Sequence, residues 1–325
     1  MPTRRRLILA SPFLAAPALA QGQWSPERPV RFIVPFPAGG SSDTQARLIA
    51  EPLARALGQP VVIENRPGAG GVIGATEAAR AAPDGHTLFI ATTGTHAANV
   101  SLYSRLAYDP VRDFAPVTMV ADYAQFIGVG PEWPAPPQRS LEGLVAALRA
   151  DATKRSFASS GNGSPTHLAG EMFGHLFGIP MEHVPYRGQA LAVADVIAGR
   201  VPLMFPSIAD VLGQIRAGRV TPLATMAPTR SSAIPDVPTT AELGHPSLVS
   251  SIWTAIFLRA GSPPAAVARM NAEIVRILAA PELAQRLGEA GFGVQSSTPE
   301  ELARFQQAEI TRWAEVVRIS GARLD

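Results

Sequence analysis

The fold is decided by the stretch Val30-Arg31-Phe32-Ile33-Val34-Pro35-Phe36-Pro37-Ala38-Gly39-Gly40-Ser41-Ser42. Its first five residues form a short, largely apolar run that predicts a strand, and the remainder is a turn rich in Gly, Pro and Ser. From Asp43 to Leu57, apolar residues recur at helical spacing, which predicts an amphipathic helix. We expect Pro52 to kink this helix, because proline lacks the N–H that an interior helical position uses.

Strand-type and helix-type segments alternate along most of the chain. Further strands are predicted at 60–63, 88–91, 156–159 and 201–205, and further helices at 165–177, 189–198 and 209–216. This alternation predicts an α/β fold with mostly parallel sheets covered by helices. The C-terminal third is predicted to be helical, and its last helix opens at the capping box Thr298-Pro299-Glu300-Glu301.

The length of the chain and its Pro-rich stretches predict two lobes. A chain of 325 residues exceeds one ordinary domain, and its 46% apolar and 17% charged residues favour compact cores over disorder. Pro-rich stretches near 120–137 and 228–238 are interpreted as crossings between lobes. The first lobe is therefore expected to be discontinuous, at 21–122 and 228–325, and the second continuous, at 123–227.

The first twenty residues have the pattern of a secretory signal peptide, which predicts export to the periplasm. Arg4, Arg5 and Arg6 precede a short apolar run, and Ala18-Leu19-Ala20 is a small-residue cleavage site. The Thr3-Arg4-Arg5 start fits a twin-arginine signal loosely, so Sec and Tat export both stay open. Removing residues 1–20 leaves 25 Lys and Arg against 26 acids, a net charge of −1.

Several classes of protein are disfavoured by what the sequence lacks. The sequence contains no basic run interleaved with aromatic residues, which disfavours a nucleic-acid-binding protein. The sequence has no cysteine, which excludes disulfides, thiolate metal sites and a cysteine nucleophile. His167 and His175 are too far apart on one predicted helix to chelate a metal directly, and no G-x-S-x-G elbow occurs. We therefore predict no metal, no cofactor and no catalytic set.

Two strand–loop–helix units, one in each expected lobe, carry the functional hypothesis. Gly39-Gly40 and Gly161-Asn162-Gly163 deliver the chain onto helix N-termini, where unpaired backbone N–H groups and the helix dipole attract anions. Ser41 and Ser42 are candidates for direct contact, whereas Asp43 is expected to support the loop, because its charge would repel an anion. The alternative, that both loops are simple βα turns, stays open.

Two further motifs have competing interpretations. Gly68-Ala69-Gly70-Gly71 resembles a dinucleotide fingerprint, but Ile73 stands where the third glycine belongs, which favours a structural turn. In Tyr186-Arg187-Gly188, Arg187 could pair with a ligand carboxylate through two hydrogen bonds or could brace the lobe surface. His167, at a helix entrance, is assigned a supporting role.

The ordered set of motifs resembles the substrate-binding receptors of tripartite tricarboxylate transporters, also called Bug receptors. The matching segments, in order, are Pro29–Pro35 with Gly39-Gly40 and Asp43, Val61–Gly71, Pro83-Asp84-Gly85, Tyr108-Asp109, Asp113–Val117, Gly161–Ser164 with His167-Leu168, Pro185–Gly188, Pro235–Thr239 and Glu242-Leu243-Gly244. Each piece is weak alone, whereas their ordered combination through almost the whole mature chain is specific.

The resemblance implies a type II periplasmic-binding-protein fold, in which two α/β lobes close around a ligand cleft. It implies a non-enzymatic, monomeric receptor that binds a small carboxylate and serves a membrane permease. The implied ligand-binding residues are Phe36, Pro37, Ala38, Gly39, Gly40, Ser41, Ser42, Ser159, Ser160, Gly161, Asn162, Gly163, Ser164, Tyr186 and Arg187, supported by Asp43 and His167. A receptor that presents its ligand to a signalling sensor, and an α/β enzyme acting on an anionic substrate, are the alternatives.

Overall fold

The computed structural model describes residues 24–134, 139–320 and 323–324. The predicted signal peptide, 1–20, lies outside the described residues. The main strands are β1 (Val30–Val34), β2 (Val61–Asn65), β3 (Thr87–Thr92), β4 (Phe114–Ala124), β5 (Phe126–Val129), β6 (Ser156–Ser159), β7 (Glu182–Pro185), β8 (Leu203–Met204), β9 (Thr221–Thr225), β10 (Ser251–Arg259) and β11 (Gly293–Val294).

The helices cover both faces of the sheets that these strands form. They are α1 (Ser41–Leu57), α2 (Val72–Ala79), α3 (Asn99–Leu102), α4 (Leu141–Ala150), α5 (Pro165–Phe177), α6 (Gln189–Ile197), α7 (Ile208–Arg216), α8 (Pro264–Leu278), α9 (Pro281–Glu289) and α10 (Pro299–Ser320). A π-helical turn at Gly94–Ala98 precedes α3, and short 3-10 turns lie at Ala69–Gly71 and Ala152–Lys154. α1 begins at Ser41, two residues earlier than predicted, and continues through Pro52.

The described strands form two sheets, one from each expected lobe. The first has the order β11-β4-β10-β3-β1-β2, and the second has the order β7-β6-β8-β5-β9. β1 pairs in parallel with β2 and β3, as in a βαβ unit, but β10 runs antiparallel between β3 and β4. The expected parallel character therefore holds at one side of the first sheet, and its other side is antiparallel. Because β10 lies in the C-terminal third, that third is not wholly helical.

Alternation along the strands gives each sheet two apolar faces. In β1, Phe32 packs with Ile49 and Leu53 of α1, whereas Ile33 joins Trp253 and Trp313 on the opposite face. All of these side chains are fully or almost fully buried. Successive strand side chains point to opposite faces, so a continuous apolar strand requires helices on both sides of its sheet.

The chain passes between the sheets at Gln125, which joins β4 directly to β5. The Gln125 amide donates to the Phe205 carbonyl at 2.8 Å and accepts the Ser250 hydroxyl at 2.6 Å. The backbone of Gln125 also bonds to Ser250 and Met226, so the outgoing and returning crossings lie side by side. Contacts with the second sheet continue beyond residue 227: the Thr240 N–H donates to the Thr225 carbonyl, and Leu248 is buried in the apolar core beside that sheet. The lobe boundaries at 122/123 and 227/228 stay predictions.

Candidate functional site

A cavity of about 260 Å³ lies between the two sheets, where the loops that follow several strands meet. Its walls combine apolar side chains with hydroxyl, amide and charged groups. The lining residues are Phe36, Pro37, Ala38, Gly39, Gly40, Ser41, Ser42, Thr92, Tyr123, Ser160, Pro165, Thr166, Arg187, Gly188, Gln189, Ala190, Leu191, Asp210 and Ile252. Both lobes therefore contribute to one partly open space of a size suited to a small molecule.

Hydrogen bonds to the Asp43 carboxylate hold the loop before α1 in place. The Gly39 N–H donates to Asp43 Oδ2 at 2.9 Å, the Asn65 amide donates to Asp43 Oδ1 at 3.0 Å, and Arg47 donates at 2.8 Å. Burial alone would raise the pKa of Asp43, but these hydrogen bonds hold its pKa below the usual value. Gly39 has a φ of 84°, in the left-handed region that favours glycine. Asp43 thus lies behind the loop, in the supporting position predicted for it.

The N-terminus of α1 is joined to the other lobe by Asp210 of α7. The Ser41 backbone N–H donates to Asp210 Oδ1 at 3.2 Å, and the Ser41 hydroxyl donates to the same oxygen at 2.7 Å. Ser207, the N-cap of α7, donates its hydroxyl to Asp210 Oδ2 at 2.7 Å. A carboxyl group of the protein itself thus accepts a first-turn N–H of α1, a contact that the positive end of a helix favours.

The loop 159–164 of the second lobe is held by its own side chains. Ser164 caps α5 by accepting the His167 N–H, and the Gly163 N–H donates to His167 Nδ1 at 3.2 Å. His167 stacks on His183 with ring centroids 3.8 Å apart, and the Ser159 hydroxyl lies 2.5 Å from His183 Nε2. Burial and the neighbouring His167 lower the pKa of His183 to about 3. His167 therefore holds the loop through Gly163 and does not line the cavity.

A third helix, α6, begins at the cavity immediately after Gly188. Gly188 has a φ of 118°, and the next three residues, Gln189, Ala190 and Leu191, line the cavity with the first turn of α6. Arg187 also lines the cavity, is exposed, and has no ion-pair partner among the described residues. The Tyr186 hydroxyl instead donates to Asp195 Oδ2 at 2.7 Å, which braces α6.

Three helix N-termini thus converge on one space. α1 contributes Ser41 and Ser42, α5 contributes Pro165 and Thr166, and α6 contributes its first three residues. First-turn N–H groups lack intrahelical partners and carry the positive end of the helix dipole. With the guanidinium of Arg187 at the same cavity, the arrangement is suited to binding an anion.

Most, but not all, of the residues predicted for the site line the cavity. Phe36 to Ser42, Ser160 and Arg187 line it, whereas Ser159, Gly161 to Ser164 and Tyr186 shape the loops behind it. Residues that line it without having been predicted are Thr92, Tyr123, Pro165, Thr166, Gly188, Gln189, Ala190, Leu191, Asp210 and Ile252. The start of α6 had a sequence signal, the Gly188 that precedes a predicted helix, whereas Asp210 and Ile252 had none.

No group of three or more His, Asp or Glu side chains among residues 24–134, 139–320 and 323–324 is arranged to hold a metal ion. None of the helices described here is both long and apolar enough to cross a membrane.

Comparison with known proteins identifies close relatives of the whole chain. The model of the tripartite tricarboxylate transporter family receptor matches residues 45–321. Protein BugT of Bordetella pertussis is 37% identical over 319 residues, which cover 98% of this chain and 96% of BugT.

Solved structures resemble this chain over nearly their full length. Rpa4515 of R. palustris with adipate superposes with a TM-score of 0.88 at 33% identity, covering 92% of this chain and 99% of that one. MatC of Rhodopseudomonas palustris with bound malate gives 0.84 at 35% identity, covering 90% and 99%. Similar structures include periplasmic binding proteins. The predicted two-lobed α/β fold of a periplasmic binding protein is therefore confirmed.

Proposed function

This chain belongs to the family of tripartite tricarboxylate transporter receptors, and on that premise we propose that it captures a small carboxylate between its lobes in the periplasm. The observation that carries the proposal is the convergence on one cavity of three helix N-termini and of Arg187, which has no ion-pair partner in the described part of the chain. Backbone N–H groups bind a carboxylate without needing a cationic side chain for each oxygen. The adipate and malate in two related structures support a carboxylate as the ligand.

The proposed mechanism is closure of the lobes on the ligand. The ligand carboxylate first meets the N–H groups of α1 in the open form, and closure adds those of α5 and α6. Exclusion of water then strengthens these hydrogen bonds, because the local dielectric falls. Closure is a shift of population toward the form that the ligand binds more tightly. That closed form is the one that we propose a membrane permease recognises, with the receptor acting as a monomer that releases its ligand unchanged.

The position of Gly40 provides a direct test of the anion site. A Cβ built at Gly40 would meet the Pro37 carbonyl at 3.5 Å, an ordinary contact, and φ is −80°, so Gly40→Val should fold. Its side chain would enter the cavity at the N-cap of α1 and keep the ligand from the backbone N–H groups. We expect affinity to fall by about tenfold or more, a change of about 1.4 kcal/mol.

Native mass spectrometry of freshly purified protein, followed by a thermal-shift screen of carboxylates, identifies ligands for this test. A bound species raises the melting temperature by mass action. Titration calorimetry then compares the wild type with Gly40→Val and with Gly288→Val, whose exposed position on α9 has no atom within 4 Å of an added Cβ. Unchanged affinity in Gly40→Val would remove this loop from the binding site. Turnover of a bound carboxylate would instead identify an enzyme.

A further inference from the structure

Gln189 is a cavity residue whose side-chain amide has no hydrogen-bond partner among the described residues. It is the first residue of α6, it lines the cavity, and only 9% of its surface is exposed. Neither Oε1 nor Nε2 has a hydrogen-bond partner in the part of the chain that the structure describes, and both atoms are buried. Burying an amide without hydrogen bonds costs free energy. We therefore expect a bound molecule to form hydrogen bonds with the Gln189 side chain.

Several of the other polar side chains of the cavity are already engaged. Ser41 donates its hydroxyl to Asp210, and the hydroxyls of Ser160 and Thr166 bond to each other at 3.0 Å. The carboxylate of Asp210 accepts from both Ser41 and Ser207. Gln189 therefore differs from these neighbours, because it offers an acceptor and two donors that the protein leaves unused.

The chemistry of the amide restricts the ligand that can satisfy it. A carboxylate has acceptor oxygens and no donor, so it can satisfy Nε2 but not Oε1. A hydroxyl or an ammonium group supplies the donor that Oε1 lacks. This argument holds for either orientation of the amide, because each orientation leaves both a donor and an acceptor without a partner among the described residues.

We propose that Gln189 makes the receptor selective for carboxylates that also carry a hydrogen-bond donor, either a hydroxyl or an ammonium group. This inference rests on the proposed function, since it concerns the same cavity. Sites built around a buried polar group reject analogues that lack the matching group, because the polar group is then left unpaired. Plain dicarboxylates should therefore bind more weakly than their hydroxylated or aminated counterparts.

The test uses two matched series of ligands. Succinate, L-malate and L-aspartate share one carbon skeleton and differ by a hydrogen, a hydroxyl or an ammonium group; glutarate, 2-hydroxyglutarate and L-glutamate repeat the comparison with a longer chain. Titration calorimetry on the wild type is expected to show a preference of about tenfold or more for a donor-bearing member over the plain diacid. Preference for the hydroxyl or for the ammonium compound identifies which donor Gln189 accepts.

The variant Gln189→Met keeps the length of the side chain and removes its amide. We expect it to abolish the preference, mainly by weakening binding of the donor-bearing ligand. Without ligand, its melting temperature should equal or exceed that of the wild type, because no hydrogen bond is lost. Gln214→Met is the matched control, since the Gln214 amide oxygen is also buried without a partner but Gln214 does not line the cavity.

Three results would overturn the inference. Equal binding of plain and donor-bearing acids by the wild type would mean that water completes the Gln189 amide. A preference that persists in Gln189→Met would place the selecting group elsewhere. In both cases carboxylate binding itself, and so the proposed function, would stand. Failure of all six acids to bind would instead remove the inference together with the proposed function for acids of this size.

Discussion

At the scale of single residues, Asp210 is the most unusual group of the site, because it is a carboxylate in a cavity suited to anions. It accepts the Ser41 N–H and hydroxyl across the gap between the lobes. Burial raises the pKa of Asp210, while the hydrogen bonds from Ser41 and Ser207 oppose that rise. Its charged form is therefore disfavoured in the folded protein relative to the unfolded chain.

The raised pKa of Asp210 predicts how stability changes with pH. Between the ordinary pKa of an aspartate and the raised value, the folded protein retains a proton that the unfolded chain has released. Stability attributable to this residue therefore falls as pH rises through that window. Asp210→Asn removes this titrating group and keeps an acceptor for Ser41. The free energy of unfolding of the variant should therefore increase, relative to that of the wild type, as pH rises.

Urea unfolding of both proteins from about pH 4 to about pH 7 measures this difference. The prediction concerns how the difference in free energy of unfolding between the two proteins changes with pH. A loss of hydrogen bonding that is the same at every pH would not alter that change. A difference that stays flat with pH, or that favours the wild type at the higher pH, would contradict it.

Residue by residue, the sequence predicted the loops of the site better than the side chains within them. Phe36 to Ser42 were expected at the cavity and line it, because a strand–loop–helix unit can be recognised locally. Asp210 lies 169 residues from Ser41 in sequence, and no local pattern reports such a pairing. Ser159 and Ser160 are neighbours, yet only Ser160, in the loop after β6, lines the cavity, whereas the hydroxyl of Ser159 at the end of β6 contacts His183.

At the scale of elements, the placement of α6 depends on the glycine before it. Gly188 has a φ of 118°, a region that residues with a side chain rarely adopt. An added Cβ would also lie 3.2 Å from Pro37 Cγ, which belongs to the loop of the other lobe. The start of α6 can therefore approach the α1 loop closely only while this position is glycine.

Gly188→Ala is expected to weaken both stability and binding. Backbone strain should cost about 1–3 kcal/mol, and displacement of α6 should lower ligand affinity by roughly tenfold. Gly178→Ala is the control, because Gly178 also has a positive φ, 62°, but has no atom within 4 Å of an added Cβ. Chemical unfolding and calorimetry should show lower stability in both variants and lower affinity in Gly188→Ala alone. Equal affinities would show that α6 does not contact the ligand.

Among the elements, β10 shows most clearly what local patterns miss. Its sequence, Ser251-Ile252-Trp253-Thr254-Ala255-Ile256-Phe257-Leu258-Arg259, is buried on both faces and so lacks the alternation of a half-exposed strand. Its partners β3 and β4 lie more than a hundred residues earlier, and its antiparallel direction follows from the return of the chain between lobes. α10, by contrast, was predictable, because its capping box is local and forms as expected.

At the scale of the whole molecule, the two lobes touch closely at the turn 68–71. A Cβ at Gly70 would lie 2.5 Å from the carbonyl oxygen of Asn162, which belongs to the loop of the other lobe. The sequence of this turn resembled a nucleotide fingerprint, and its position at the lobe–lobe contact gives it a structural explanation instead. Hinged closure requires such contacts to form without obstruction.

Gly70→Asn should prevent full closure. Asparagine tolerates the left-handed conformation of this position, φ 60°, so the turn itself should persist. Its side chain would nevertheless obstruct the Asn162 backbone, and we expect affinity to fall by about tenfold or more. Small-angle X-ray scattering should show a smaller ligand-induced contraction than in the wild type.

Gly58→Asn is the matched control for this prediction. Gly58 ends α1 with a φ of 70° and has no atom within 4 Å of an added Cβ. The control should bind and contract as the wild type does. Wild-type contraction in Gly70→Asn would show that the turn moves aside and that closure does not depend on it.

The use of main-chain N–H groups at the cavity has a consequence for how such receptors diversify. A substitution can remove a side chain, but it cannot remove the backbone N–H groups that open α1 and α6, unless it introduces proline. The attraction of these helix N-termini for an anion therefore persists through most substitutions. If Gln189 selects the ligand as we propose, a single substitution at this lining position would change which acid the cavity binds and leave the backbone donors in place.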